Sequence, residues 1–225
     1  MASMDWTVLS SVGDVPEVRY RHTMAVVGDA KTVMFGGFDG GYHNDVRTVA
    51  VSGSTATWVE LSTSGDVPTT RYKHTMTAFG ESSALIFGGW DWQAFNDIYQ
   101  LTVSGTSAAW VELSSVGDVP SARWGHTMAV VGDGCAVVFG GKYFGSYGYF
   151  NDVYTVAVSG TTATWVELSS VGDVPGARGS LSMVVLDDGS AVMFGGWRYG
   201  GPLDDIYTVN LSSTHATWEE LSSVG

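Results

Sequence analysis

The chain has 225 residues, 44% of them hydrophobic, with a net charge of −13 and a single cysteine, Cys135. That is enough apolar material for one sizeable core, while the acidic balance opposes nucleic acid or an anionic membrane as partners, because both call for a positive field. No disulfide can form within the chain, and no apolar run approaches the roughly 20 residues a membrane-spanning helix requires.

The chain opens without a basic segment followed by an apolar stretch, so no secretory signal is expected and a cytoplasmic setting is the plain reading. Asp5-Trp6-Thr7-Val8-Leu9 is the first apolar segment and is expected to be a terminal closing strand. A turn at Gly13-Asp14-Val15-Pro16 follows, and from there the sequence repeats. Trp58, Trp110, Trp165 and Trp218 recur at intervals of 52 to 55 residues, as do Pro16, Pro68, Pro120 and Pro175. Arg19, Arg71, Arg123 and Arg178 keep the same spacing, and so do the glycine pairs that begin at Gly36, Gly88, Gly140 and Gly195. A period of this length suits a propeller blade.

Within the third repeat, Thr127–Val131, Ala136–Phe139, Asp152–Val158 and Ala163–Leu168 are four short segments rich in β-branched and aromatic residues, separated by turns. They read as strands a, b, c and d. Strands a and b are nearly continuous apolar runs, which implies burial on both faces. Strands c and d alternate more, with Glu60, Glu112, Glu167 and Glu219 on the wet side, and helical periodicity is absent. The expected fold is all-β: a radial stack of four four-stranded blades, with a and b inside and d at the rim. The whole of 1–225 is one domain, with repeats at about 16–61, 68–113, 120–168 and 175–221. The d-type strand occurs at both ends, so one terminus carries a surplus copy. A closed four-bladed ring, a segment of a longer array and a dimer that pools blades all remain open, and an unpaired edge would invite self-association.

The glycine pair after strand b, the tyrosine on strand c (Tyr99, Tyr154, Tyr207) and the tryptophan on strand d together resemble the Kelch repeat, over nearly the whole chain. Two departures stand out: Arg47 replaces the tyrosine in the first repeat, and Leu181 replaces the histidine of the others (His22, His74, His126). The resemblance implies a β-propeller, with six or seven blades in most members. It also implies a binding or scaffold role, as in ubiquitin-ligase adaptors whose loop face receives an acidic peptide. Other relatives by resemblance are enzymes acting on sugars or small anions. A Glu-x-x-x-Asp-x-x-x-His iron run of plant members is incomplete here, since Phe35 precedes Asp39 and His43. No metal site and no cofactor are assigned.

Up-and-down strands sort the loops onto two faces. The b–c and d–a connections share one face and vary between repeats, as recognition loops do. Eight of the ten cations fall there: Arg19, Arg21, Arg71, Lys73, Arg123, Lys142, Arg178 and Arg198. The repeated arginines are expected to pair with a repeated aspartate (Asp45, Asp97, Asp152, Asp205, or Asp14, Asp66, Asp118, Asp173) and staple neighbouring blades. No blade geometry demands Arg21, Lys73, Lys142 and Arg198, so these are the candidates for an anionic ligand. Tyr42, Trp90, Trp92, Tyr143, Tyr147 and Trp197 on the b–c loops are the candidate aromatic platform.

The function expected is a module that binds a protein or a ligand, with an anionic peptide or small molecule in view. One alternative is an enzyme acting on a sugar or a small anionic metabolite, with His22, His74 or His126 as acid or base. The other is a structural building block, engineered or excised from a longer propeller. The three equivalent histidines are otherwise expected to cap strand backbone, and Cys135 to be a core residue.

Overall fold

The computed structural model describes residues 6–28, 31–132, 134–143 and 148–221. Its secondary structure is entirely β, in four blades. Blade one comprises β1 (Ser10–Gly13), β2 (Thr23–Val27), β3 (Lys31–Phe35), β4 (Val46–Ser52) and β5 (Thr55–Glu60). Blade two comprises β6 (Ser62–Gly65), β7 (Thr75–Phe79), β8 (Ser83–Phe87), β9 (Ile98–Ser104) and β10 (Ser107–Glu112). Blade three comprises β11 (Ser114–Gly117), β12 (Thr127–Val130), β13 (Cys135–Phe139), β14 (Val153–Ser159) and the first part of β15 (Thr162–Gly172). Blade four takes the end of β15, then β16 (Ser182–Val185), β17 (Ala191–Arg198), β18 (Gly201–Leu211) and β19 (His215–Glu220).

Each blade is an antiparallel meander of the expected four strands, with one addition. In blade one the order is β1-β5-β4-β3-β2, and β1 lies parallel to β5. The same outer strand recurs as β6 on β10, β11 on β15, and the end of β15 on β19. After finishing strand d of one blade, the chain therefore crosses directly to the rim of the next and pairs there. Glycine closes this strand: Gly65 sits at φ +80°, and a Cβ on it would lie 2.1 Å from the Trp110 carbonyl oxygen. The expected closing strand at 5–9 is corrected accordingly. Residues 6–9 belong to no strand, with Trp6 99% exposed, and pairing begins only at Ser10; Asp5 lies outside the described residues. The four residues that end at Gly13, Gly65 and Gly117, in the stretch between strand d and the proline, form the parallel strand.

Between blades one and two, Val33, Phe35, Val46 and Leu61 pack against Met76, Ile86, Leu101 and Trp110. Equivalent clusters join blades two and three, and blades three and four. Among the described residues no such cluster joins blade four to blade one, so the blades form an open arc. Their first strands β2, β7, β12 and β16 line a central channel of about 300 Å³.

The repeated arginines brace their own blades, which corrects the expectation that they staple neighbours. Arg71 is fully buried. It donates to both carboxylate oxygens of Asp97, at 2.7 and 2.9 Å, and to the Gly88 carbonyl at 3.0 Å. Arg123 and Asp152 repeat this pairing, and Arg178 holds the Asp205 carboxyl below the usual carboxylate range. Arg19 pairs with Asp45, which is shared with Arg47. Backbone bonds are among the links between neighbouring blades: Gly37 N donates to the Arg71 carbonyl at 2.9 Å. The other aspartates serve strand d, where Asp66 accepts from the Glu112 N–H. Cys135 is half buried in β13, and burial raises its thiol pKa.

Candidate functional site

The b–c and d–a connections meet at one end of the channel because each pair is clipped together by its backbone. Tyr20 exchanges hydrogen bonds with Phe38, Tyr72 with Trp90, Trp124 with Lys142, and Gly179 with Trp197. Just after these clips come Arg21, Lys73, Gly125 and Ser180, which hold the same position in the four repeats. All four sit at positive φ, between 56° and 65°. Their backbones link in series around the axis: Lys73 N donates to Arg21 O, Gly125 N to Lys73 O, and Ser180 N to Gly125 O. The left-handed conformation is routine for glycine and costs other residues about 1–2 kcal/mol.

The cavity at this end measures about 440 Å³ and is lined by Arg21, Lys73, Trp124, Lys142, Tyr149 and Trp197, with Gly179 and Ser180. Three of the cations singled out in the sequence therefore converge. Lys73 Nζ stands 3.8 Å from the centre of the Trp124 ring in the next repeat, and Lys142 Nζ reaches aromatics of its own repeat, at 5.1 Å from Trp124 and 5.4 Å from Tyr149. The Arg21 guanidinium lies over Tyr20 and Tyr72, at 5.1 and 5.6 Å. Such contacts attract a cation through the ring quadrupole without neutralising it. Among the described residues no carboxylate lies within ion-pair distance of Arg21, Lys73 or Lys142, whereas the repeated arginines are all paired. Burial, followed by the charges of Arg21 and Lys142, lowers the Lys73 ammonium to a pKa of about 8.

The remaining candidates are scattered. Arg198 is not part of the cavity wall; it ends β17 and approaches Gly176. Trp197 and Arg198 lie within a strand, because in blade four β17 and β18 run on as a long hairpin where the other blades have a loop. Tyr42 packs into a cluster with Phe38, Tyr72 and Trp92. Trp90 stands edge-on to Trp124. Trp92 is 80% exposed at φ +56°, and with Tyr143 it lines a separate, more apolar depression of about 500 Å³. Tyr147 lies outside the described residues. Sequence reasoning missed Trp124 as a site residue: it stands in the d–a segment, where cations were sought and rings were not. Its signal was the Tyr20, Tyr72, Trp124 series one place after the arginine.

The histidines do not reach this cavity. His74 Nε2 meets the Thr23 hydroxyl of the preceding blade at 2.6 Å, and His126 meets Thr75 at 2.7 Å. Each bridges to the preceding blade and also meets strand backbone there, His74 at Phe35 and His126 at Phe87. Burial drives the His74 pKa down to about 3 and that of His126 well below its usual value. Asp39 and His43 pair with each other.

The KLHDC2/KLHL20/DRC7 Kelch-repeats domain model matches residues 1–142 and again residues 84–225. The chain belongs to the Kelch-repeat family. Similar proteins include Adagio-like protein 1 of Oryza sativa subsp. japonica, 31% identical over 73% of this Kelch chain and 26% of its own length. Acyl-CoA-binding domain-containing protein 4 of Arabidopsis thaliana is 24% identical over 92% of the chain and 32% of its own length. Rho GTPase-activating protein gacHH of Dictyostelium discoideum is 30% identical over 67% of the chain and 10% of its own length. The chain thus spans a third or less of the length of these relatives. A Kelch propeller is in general terms a protein-binding module, and among the described residues no helix is long and apolar enough to cross a membrane.

Proposed function

We propose that this propeller binds an anionic group, such as an acidic peptide side chain or terminal carboxylate, in the cavity of Arg21, Lys73 and Lys142. One observation carries the reading. The position shared by Arg21, Lys73, Gly125 and Ser180 has the same left-handed backbone in every blade, and glycine meets its demand without strain in one of them. A long cation there is strained and not needed by the fold. Strain retained at a cavity mouth points to function. Among the described residues the three cations lack carboxylate partners, and they rest on aromatic walls, so an incoming anion would find them charged and held in place. Trp197, half exposed on the rim, and Trp124 below it offer flat surfaces to the rest of the ligand.

The test is a fluorescence titration with a glutamate-rich peptide, using the glutamine version as control, on the wild type and on Lys73→Gly and Arg21→Gly. Each substitution removes one charge-assisted contact of about 1.5–3 kcal/mol, so affinity should fall at least tenfold while urea unfolding moves little. Binding should also weaken as pH rises through about 8, where Lys73 loses its proton. Unchanged affinity in both variants refutes the site, and loss of folding would make these residues structural.

A further inference from the structure

The chain has three lysines, Lys31, Lys73 and Lys142, and the surroundings of Lys73 set its amine apart. Two rings line up the cations of the cavity. Tyr72 carries the Arg21 guanidinium at 5.6 Å and Lys73 Nζ at 5.7 Å from its centre. Trp124 carries Lys73 Nζ at 3.8 Å and Lys142 Nζ at 5.1 Å. Lys73 is therefore the middle of three positive groups and shares one ring with each neighbour. Among the described residues no carboxylate pairs with any of the three. A ring face attracts a cation but does not neutralise it. The repulsion is relieved when the middle amine gives up its proton. Burial, and then the Arg21 and Lys142 charges, act on Lys73 in that direction.

An amine desolvated beside other cations is the setting that activates lysine as a nucleophile toward carbonyl compounds. The side chain is also fixed at its root. The Lys73 backbone, at φ 56°, donates to the Arg21 carbonyl at 3.1 Å and accepts from the Gly125 N–H at 2.8 Å. From that pinned Cα the side chain reaches a cavity of about 440 Å³, large enough for a small molecule beside it. Lys31, by contrast, is exposed at the start of β3.

We propose that Lys73 forms an imine with a small aldehyde or 2-oxo acid that carries a carboxylate, with Arg21 and Lys142 holding the carboxylate while Nζ meets the carbonyl carbon. This rests on the reading of the cavity as an anion site and adds a covalent step to it. The Nζ lone pair forms the C–N bond as the carbonyl π pair moves to oxygen. Both amine protons then leave with that oxygen as water, and the C=N bond remains, with no net oxidation or reduction. Arg21 keeps its charge at any working pH, so the carboxylate of the adduct retains a cationic partner after Lys73 has lost its own charge.

Reductive trapping on the intact chain tests this. Glyoxylate or, separately, propanal is added with sodium cyanoborohydride, which reduces an imine to a stable secondary amine, and peptide mass spectrometry reads each lysine. At about pH 8 half of Lys73 is unprotonated, roughly a hundredfold more than for an amine at the ordinary value of 10.5. A weaker base is also a weaker nucleophile, so glyoxylate should label Lys73 about tenfold faster than Lys31. Normalised to Lys31, propanal should label Lys73 about tenfold more slowly than glyoxylate does, for want of the charge-assisted contact, and Arg21→Gly should shrink that preference. Glyoxylate labelling of Lys73 no faster than of Lys31 overturns the proposal. If the glutamate-rich peptide nevertheless binds as expected above, the imine alone fails and the anion site stands. If Lys73 reacts fast but glyoxylate and propanal label it alike, the anion site fails and this proposal with it.

Discussion

Replacing Arg71 by methionine tests whether the repeated arginines hold the blades or serve the ligand. The guanidinium is wholly buried and makes two hydrogen bonds to Asp97 and one each to the Gly88 and Thr69 carbonyls. It also lies 4.4 Å from the Phe95 ring centre. Removing one partner of a buried pair costs about 3–5 kcal/mol, because the other charge is left uncompensated. The Asp97 side chain keeps 20% exposure and rehydrates in part, which places the loss near the lower bound, about 3 kcal/mol. Blade one supplies an internal control. Arg19 is almost as buried, but Asp45 also receives Arg47 Nε at 2.8 Å, so Arg19→Met leaves that carboxylate paired. It should cost about 1–2 kcal/mol less than Arg71→Met, the worth of roughly one charge-assisted hydrogen bond. Urea unfolding reads both, with the m-value required to stay constant so that the midpoint reports stability. Equal losses, or an Arg71→Met loss below about 1 kcal/mol, would refute the bracing argument.

Two further outcomes follow from the same geometry. Stability should fall with acidity: His74 and His126 stay neutral in the fold but take up protons in the unfolded chain below its pKa of 6.5, so the unfolded state binds more protons. The loss starts below pH 6.5 and continues toward pH 3, at about tenfold in the folding equilibrium per pH unit for each histidine; Thr-to-Ala changes that leave the slope intact would be expected, and a flat profile would contradict burial of neutral rings. Gly65→Ala should unfold or severely weaken blade two, since its Cβ would sit 2.1 Å from the Trp110 carbonyl oxygen, while Gly105→Ala, with nothing within 4 Å, should lose only the cost of its positive φ, about 1–2 kcal/mol; thermal denaturation compares them.

Much of this architecture is local and therefore legible in the order of residues. Four apolar segments per repeat, separated by glycine turns, make a meander, and the apolar runs of β8 and β13 announce burial on both faces. The recurrence of Gly36-Gly37 and its equivalents reflects a packing demand, as a Cβ on Gly36 would lie 2.6 Å from the Arg71 carbonyl oxygen of the next blade. The cations Arg21, Lys73 and Lys142 stood out because they break the repeat, and they do share one cavity. Partner choice is another matter. Arg71 has Asp66 and Asp97 within the same repeat, and only the folded path shows that Asp97 receives the guanidinium while Asp66 receives the Glu112 N–H. Strand pairing of Ser10–Gly13 was hidden for the same reason: a short polar segment pairs in parallel only because strand d of its own blade, some 45 residues later, presents a free edge. The open arc was likewise beyond the repeat pattern. Each blade specifies a front and a rear, but whether the last rear meets the first front depends on the angle between blades, which is a property of packing and not of any one segment.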